Sequence, residues 1–258
     1  MSYSINVQNG YCQAGAYALR VSAWVPDEIA EHVVFVPPFG EEMHIARKHI
    51  ASIGEQLAGI GVAFYLYDAP GTGETIGPAT APDFPAHREV LGHLLAELSS
   101  DSNQPVSLLT LRSGFLVPLT FAQLPTRVKR FIACEPVTSG PGYLQNLIRQ
   151  KTLAAKLRNE PIGSAADIAR SLAAGGEVRV GGCDLTSDYY NALLSVDVQT
   201  YTPFADCCIA LFAGPHEQTE LSDLGFTVTT DLGGSRFWAL EDAESDGIRN
   251  AIVDLFQP

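Results

Sequence analysis

The strongest constraint on how this chain folds is a series of short apolar runs that each stop at a turn and give way to helical spacing. "HVVFVPPFG" ends at Pro37 and Pro38, and residues 41–60 then place Ile45, Ile50, Ile53, Leu57 and Ile60 near a helical period. "GVAFYLYDAPGTGET" is a second such run, "HREVLGHLLAELSS" a second helix, "QPVSLLTL" a third run and "RVKRFIACEPV" a fourth. Runs this continuously apolar suit strands covered on both faces, and their alternation with helices predicts a mostly parallel sheet in an α/β protein. "YALRVSAWVP" alternates from Tyr17 to Val25 and predicts a half-exposed edge strand, while "SGFLVPLTFAQL" predicts a helix after the third run.

From Gly140 to about Val198 the pattern changes. "YLQNLIRQKTLAAKLRNE" and "SDYYNALLSV" are helical, and "GEVRVGGCDL" is turn-like. Strand patterns resume at "CCIALFAG", "FTVTT" and "SRFWAL", and "SDGIRNAIVDLF" closes the chain as a helix. The expectation is one domain over residues 1–258, with 140–198 inserted late in the sheet in the position of a cap or lid.

Composition narrows the partners. With 46% hydrophobic and 17% charged residues, the chain has the material for a sizeable core. Its formal net charge of −13 argues against nucleic acid and anionic membrane surfaces, both of which would repel it. The five cysteines are odd in number and lack CxxC spacing, which signals neither a disulfide framework nor a zinc site. Cys207 and Cys208 lie in an apolar run and are expected to pack as small core residues. "MSYSINVQNG" has neither a basic nor an apolar signal region, and no apolar run is long enough to span a bilayer, so a cytoplasmic address is expected.

"YDAPGTGET" is neither a P-loop nor G-x-G-x-x-G, because no Gly-Lys-Ser/Thr follows and glycine arrives only at Gly77. Gly71 and Gly73 supply positive φ and Asp68 can bond local amides, which makes this a structural turn.

"LLTLRSGFLVP" has the form of a strand entering a sharp turn that mounts a nucleophile, a turn whose positions two before and two after the tip must be small. Ser113 at the tip would be flanked by Leu111 and Phe115, which are too large; Arg112 at the tip is flanked by Thr110 and Gly114, which fit. The spacing therefore predicts Arg112 at the apex, with Ser113 one residue beyond, placed to cap the turn. A serine triad in this element order needs an acid after the late strand and a histidine after the last one. Glu217, or Glu220, stands in the acid's place with His216 beside it, but "EDAESDG" after "SRFWAL" holds no histidine. Without a base, a serine hydroxyl is a poor nucleophile at neutral pH.

The turn "PPFGEEMHIARKH" brings Glu41, Glu42, His44, Arg47 and His49 beside that elbow. Carboxylates there oppose a developing oxyanion but suit an ion pair with Arg112. Two readings stand. In one, Glu42 and Arg112 neutralise each other in a pocket that only binds. In the other, Glu41 or Glu42 is a general base, His44 helps move protons and Arg112 holds an anionic substrate. The same carboxylates are also the ordinary first-turn acids that a helix dipole favours. No His-Glu-x-x-His or other ligand spacing occurs, so no metal is expected.

Taken together, "VPPFGEEMHIARKHIASIGEQLAGIGVAFYLYDAPGTGET", "LTLRSGFL" and "EPVTSGPGYLQNLIRQK" resemble the second type of exosortase-A-system-associated hydrolase, a bacterial family of the α/β-hydrolase superfamily. Pro-Phe-x-Glu-Glu-Met, Leu-Arg-x-Gly and Pro-Val-x-Ser-Gly segments recur together in that family, and "RFWALED" is similar to its late Phe-Trp segment. Thr110 departs from the glycine expected at the elbow. The resemblance implies an α/β-hydrolase fold and a setting in bacteria that make exopolysaccharide and sort surface proteins. It points to Glu41, Glu42, Arg112, Ser113, Pro136, Ser139 and Trp238, with Glu42 and Arg112 first. Apart from the resemblance, Tyr189 and Tyr190 of the insertion are candidates for ligand contact, although aromatic residues at such spacing more often pack, and His216 and Glu217 are further binding candidates. The functional expectation is a hydrolase of a small ester, amide or glycan-linked substrate, without a cofactor; the alternative is a non-catalytic binding or interaction protein on the same scaffold, working with other products of that system.

Overall fold

The computed structural model describes residues 3–101, 103–201, 204–215, 219–233, 237–238 and 246–257. In chain order these form β1 (Ile5–Ala14), β2 (Tyr17–Pro26), β3 (Glu31–Val36), α1 (Glu41–Ala58), β4 (Val62–Tyr67), α2 (Phe84–Asp101), β5 (Val106–Leu111) and β6 (Val128–Cys134). Then come α3 (Gly140–Leu157), α4 (Ala165–Ala173), β7 (Glu177–Val180), β8 (Cys183–Thr186) and α5 (Ser187–Leu193). The chain returns with β9 (Ala205–Leu211), α6 (Thr219–Asp223), β10 (Phe226–Thr229) and α7 (Asp246–Asp254).

Eight strands make one sheet in the order β1-β2-β4-β3-β5-β6-β9-β10. The six from β4 to β10 run parallel, as the alternating pattern requires, while β2 is antiparallel to both β4 and β1. Side chains alternate across the sheet with period two. On β3, Val33 and Phe35 join the core under α1 and α7, while Val34 and Val36 join the larger core under α2. Both faces being covered explains why the strands read as unbroken apolar runs.

The edge lies one strand further out than the alternation of Tyr17–Val25 predicts. β1 pairs with β2 along all ten residues, yet "INVQNGYCQA" is polar and largely exposed, so its pairing is invisible in its own pattern. The helix expected after β5 is instead two 3₁₀ turns, Arg112–Leu116 and Pro118–Thr120. Pro118 lacks the amide that an α-helix would need there. "GEVRVGGCDL" forms the β7–β8 hairpin. Of "SRFWAL", Phe237 and Trp238 form a turn rather than a strand, and the rest lies outside the described residues. Cys208 is buried as expected, but Cys207 points outward and is exposed, because neighbours on a strand face opposite ways.

The elements from α3 to α5 lie between β6 and β9 in the chain. The β7–β8 turn reaches the start of α1, where the Glu41 amide donates to the Gly181 carbonyl at 2.7 Å. At the opposite end of the sheet, the buried Glu31 carboxylate accepts from Ser107 Oγ at 2.5 Å and Lys129 Nζ at 2.9 Å, and also pairs with Arg130. No helix among the described residues is long and apolar enough to cross a membrane.

Candidate functional site

Arg112 follows β5 directly and has φ 49°, a left-handed conformation that L-residues adopt only under constraint. The constraint is visible on both flanks. Thr110 is fully buried and donates to the Ile132 carbonyl on β6 at 3.4 Å. A Cβ on Gly114 would stand 2.4 Å from the Val36 carbonyl oxygen and 3.0 Å from that of Pro37. Phe115 occupies another place, its ring stacked on Phe131 at 5.3 Å in the core. The apex is therefore Arg112.

Ser113 is buried at 3% exposure, and its Oγ accepts a hydrogen bond from the Phe39 amide at 2.9 Å. The Tyr143 hydroxyl lies beside it. His87 faces the same small void of about 20 Å³ as Ser113. His87 Nε2, however, pairs with the Tyr67 hydroxyl at 2.8 Å, and burial drives its pKa down to about 3, which makes it a weak base.

Above the apex, at the carboxyl ends of β3, β5 and β6, opens a cavity of about 550 Å³ between the first turns of α1 and one face of α3. α1 contributes Glu41, Glu42 and Ile45, and α3 contributes Gly142, Tyr143, Asn146, Leu147 and Gln150. Glu42 Oε1 accepts from Arg112 Nε at 3.3 Å. Its other oxygen, Oε2, is buried near the Tyr143 hydroxyl but makes no hydrogen bond of good geometry. Burial raises the Glu42 pKa, and the opposing pull of Arg112 and Tyr143 only partly offsets it. Arg112 Nη1 donates to the Glu135 carbonyl at 3.2 Å, and the guanidinium lies 5.7 Å from the centre of the Trp238 ring.

The candidate residues divide by place. Glu41, Glu42, Arg112, Ser139 and Trp238 come together around the cavity. Ser139 also caps α3 by accepting from the Gly142 amide at 3.3 Å. Ser113 lies under the floor. His44 is exposed and is not among the described residues lining the cavity. Tyr189 and Tyr190 are buried, and neither lines the cavity above Arg112; Tyr189 borders the small void beside Ser113 instead. The Tyr189 ring packs 4.7 Å from Phe39 and 5.7 Å from Phe84. His216 and Glu217 lie outside the described residues. Glu220, the other acid considered, is exposed and accepts from Gln199 at 3.1 Å.

Two residues escape a reading of the sequence. Tyr143 is hidden among the apolar positions of α3. Glu135, like Arg112, has positive φ, at 47°, and its Oε1 accepts from the Ala213 amide at 2.8 Å. Its signal is an acid immediately after the apolar, buried end of β6, in "IACEPV". The glycine-rich turn is structural as read: Asp68 pairs with Arg47 and accepts from the Glu74 amide at 3.0 Å, and a Cβ on Gly71 would lie 1.8 Å from the Ala81 carbonyl oxygen.

No protein-family model matches the chain, and no curated protein matches it in sequence. Solved structures do match its shape. Est1E from Butyrivibrio proteoclasticus with ferulic acid bound is 13% identical, with TM-score 0.64 over 95% of this chain and 96% of that one. The α/β hydrolase GrgF from Penicillium sp. sh18 is 18% identical, with TM-score 0.61 over 96% and 97%. The proline iminopeptidase-related protein from Thermus thermophilus is 17% identical, with TM-score 0.62 over 96% of both chains. With its sheet order, its strained elbow and these matches over nearly the whole length, the chain has the α/β-hydrolase fold.

Proposed function

We propose that the protein is a hydrolase of a small ester, amide or glycan-linked substrate held in the cavity above Arg112, with Glu42 in place of a serine–histidine pair. The carrying observation is the Glu42–Arg112 contact itself, a carboxylate held by one long hydrogen bond in surroundings that raise its pKa. A carboxylate whose pKa is raised is a stronger base than a free one, which suits proton abstraction. In this reading Glu42 takes a proton from water as the water oxygen bonds to the substrate carbonyl carbon. The bond to the leaving group then breaks, and the leaving group receives that proton. Arg112 orients Glu42 and the substrate, and the segment 140–198 serves as a cap whose α3 forms one wall. The hydrolase named among the similar folds supports hydrolysis as the reaction class. The sequence resemblance supports a cytoplasmic step in exopolysaccharide or surface-protein biogenesis, with other products of that system as partners.

The test is a screen of chromogenic esters and anilides with Glu42→Gln and Ser113→Ala. Glu42→Gln is expected to lose roughly 10²-fold or more in kcat, and Ser113→Ala to keep turnover. Turnover that survives Glu42→Gln and disappears with Ser113→Ala defeats the proposal.

A second reading, ligand binding without turnover, is favoured by the engagement of Ser113 with the Phe39 amide and by the lack of a histidine among the described residues lining the cavity. Its signature is a ligand that raises Tm yet is recovered unchanged.

A further inference from the structure

We propose that the ligand of the Arg112 cavity carries a carboxylate, gripped end-on by the guanidinium. The proposal rests on the cavity being the working site, as above, and adds the chemical class of what it takes.

Arginine presents five N–H donors in a flat fork. In Arg112, Nε donates to Glu42 and Nη1 to the Glu135 carbonyl, while Nη2 has no hydrogen-bond partner among the described residues. Nor is Nη2 one of the buried polar atoms left unpaired, and the side chain is 28% exposed. Nη2 is thus left without a protein partner where Arg112 lines the cavity, and with the Nη1 hydrogen that the Glu135 carbonyl does not take it supplies the outer edge of the fork. A carboxylate has two oxygens at the spacing this edge requires and accepts two parallel hydrogen bonds from it. Glu42 does not have to leave, because it holds the other side of the guanidinium.

The local charges select the kind of anion. Among the described residues Arg112 is the only cation lining the cavity, and Glu41 and Glu42 line it too. A dianion such as a phosphate monoester would bring two charges to one guanidinium in the presence of two like charges. A single carboxylate matches the fork in both charge and planarity. The first turn of α1 adds little attraction, because its own carboxylates already answer the helix dipole. Arg112 is fixed from three directions, by Glu42, by the Glu135 carbonyl and by the face of Trp238 at 5.7 Å. A donor held this way loses little freedom when the ligand arrives. The rest of the ligand would lie along Asn146 and Gln150 of α3, which offer amide groups and no charge.

The experiment is a titration of the intact protein at pH 7 with acetate, benzoate and cinnamate, each beside its primary amide and with phenyl phosphate as the dianion. It is read by Tm and by tryptophan fluorescence, since Trp238 lies against the guanidinium. At least one carboxylate is expected to bind tenfold or more tightly than its amide and than phenyl phosphate. Arg112→Gln should remove that preference, Arg112→Lys should retain part of it, and Glu41→Gln should tighten carboxylate binding by removing a like charge. Glu41 is exposed, so that variant remains informative if the Arg112 variants do not fold. Amides that bind as well as carboxylates overturn the proposal, as does the absence of carboxylate binding up to roughly 10 mM. Carboxylate binding that depends on Arg112, in a protein that hydrolyses nothing, upholds this proposal and removes the hydrolase reading. Hydrolysis of neutral esters without carboxylate preference does the reverse.

Discussion

Ser113 Oγ accepts the Phe39 amide proton at 2.9 Å and so ties the elbow to the loop between β3 and α1. This bond gives the serine a structural task one residue past the apex, the apex being the position where a nucleophile elbow carries its nucleophile. Ser113→Ala leaves a buried N–H unsatisfied, which costs about 1–3 kcal/mol in chemical denaturation. A broad fluorophosphonate probe should leave no adduct on either protein when intact mass is measured. An adduct on the wild type that is missing from Ser113→Ala would restore the serine as nucleophile.

Gly114 carries the close approach that shapes the apex. Gly114→Ala places a methyl group against the Val36 and Pro37 carbonyls, and backbone on that side cannot rotate away. The expected loss is about 3 kcal/mol or more, or failure to fold. Gly10→Ala in β1 is the control, since nothing stands within 4 Å of its added Cβ. Equal stability of the two variants would mean that the elbow is not tight.

How far the sequence reveals this architecture depends on whether a residue's role is local. Covered strands such as Val106–Leu111 announce themselves because every side chain is apolar or buried. The apex at Arg112 is legible from the sizes of Thr110, Leu111, Gly114 and Phe115, which are local steric facts. β1 is not, because its partner and not its composition makes it a strand. His44 follows Glu42 closely in the chain yet is exposed and off the cavity lining, because nearness along a helix does not fix which face a side chain takes. Glu135 and Tyr143 meet Arg112 and Glu42 only through the ends of β6 and α3, and no window of sequence contains that meeting.

Glu31 anchors the end of the sheet away from the cavity. Burial on its own would raise its pKa, but hydrogen bonds from Arg130, Lys129 and Ser107 overcome that and lower it. Removing the carboxylate strands the half-buried Arg130 and the buried Ser107 hydroxyl. Glu31→Ala should therefore cost about 3–5 kcal/mol. Its effect on ligand binding in the Arg112 cavity should be small when measured well below the new Tm. A loss under about 1 kcal/mol would show that Lys129 and Arg130 are satisfied by water.

His87 makes the fold acid-sensitive. Its pKa in the folded protein is about 3 against an ordinary 6.5, because burial disfavours the imidazolium. Below pH 6.5 the unfolded chain binds a proton that the native state refuses until about pH 3. The contribution is thus fully present above the ordinary histidine pKa and is lost as pH falls toward the folded value, on the order of 3–5 kcal/mol in all. His87→Gln keeps a polar partner for the Tyr67 hydroxyl and removes the titration. Urea unfolding from pH 7.5 to pH 4.5 should show the wild type losing about 2–3 kcal/mol more than His87→Gln over that range. Other acid-titrating groups act equally on both proteins and cancel in the difference. Parallel stability curves would mean that His87 takes up its proton in the native state, through opening of the void it shares with Ser113.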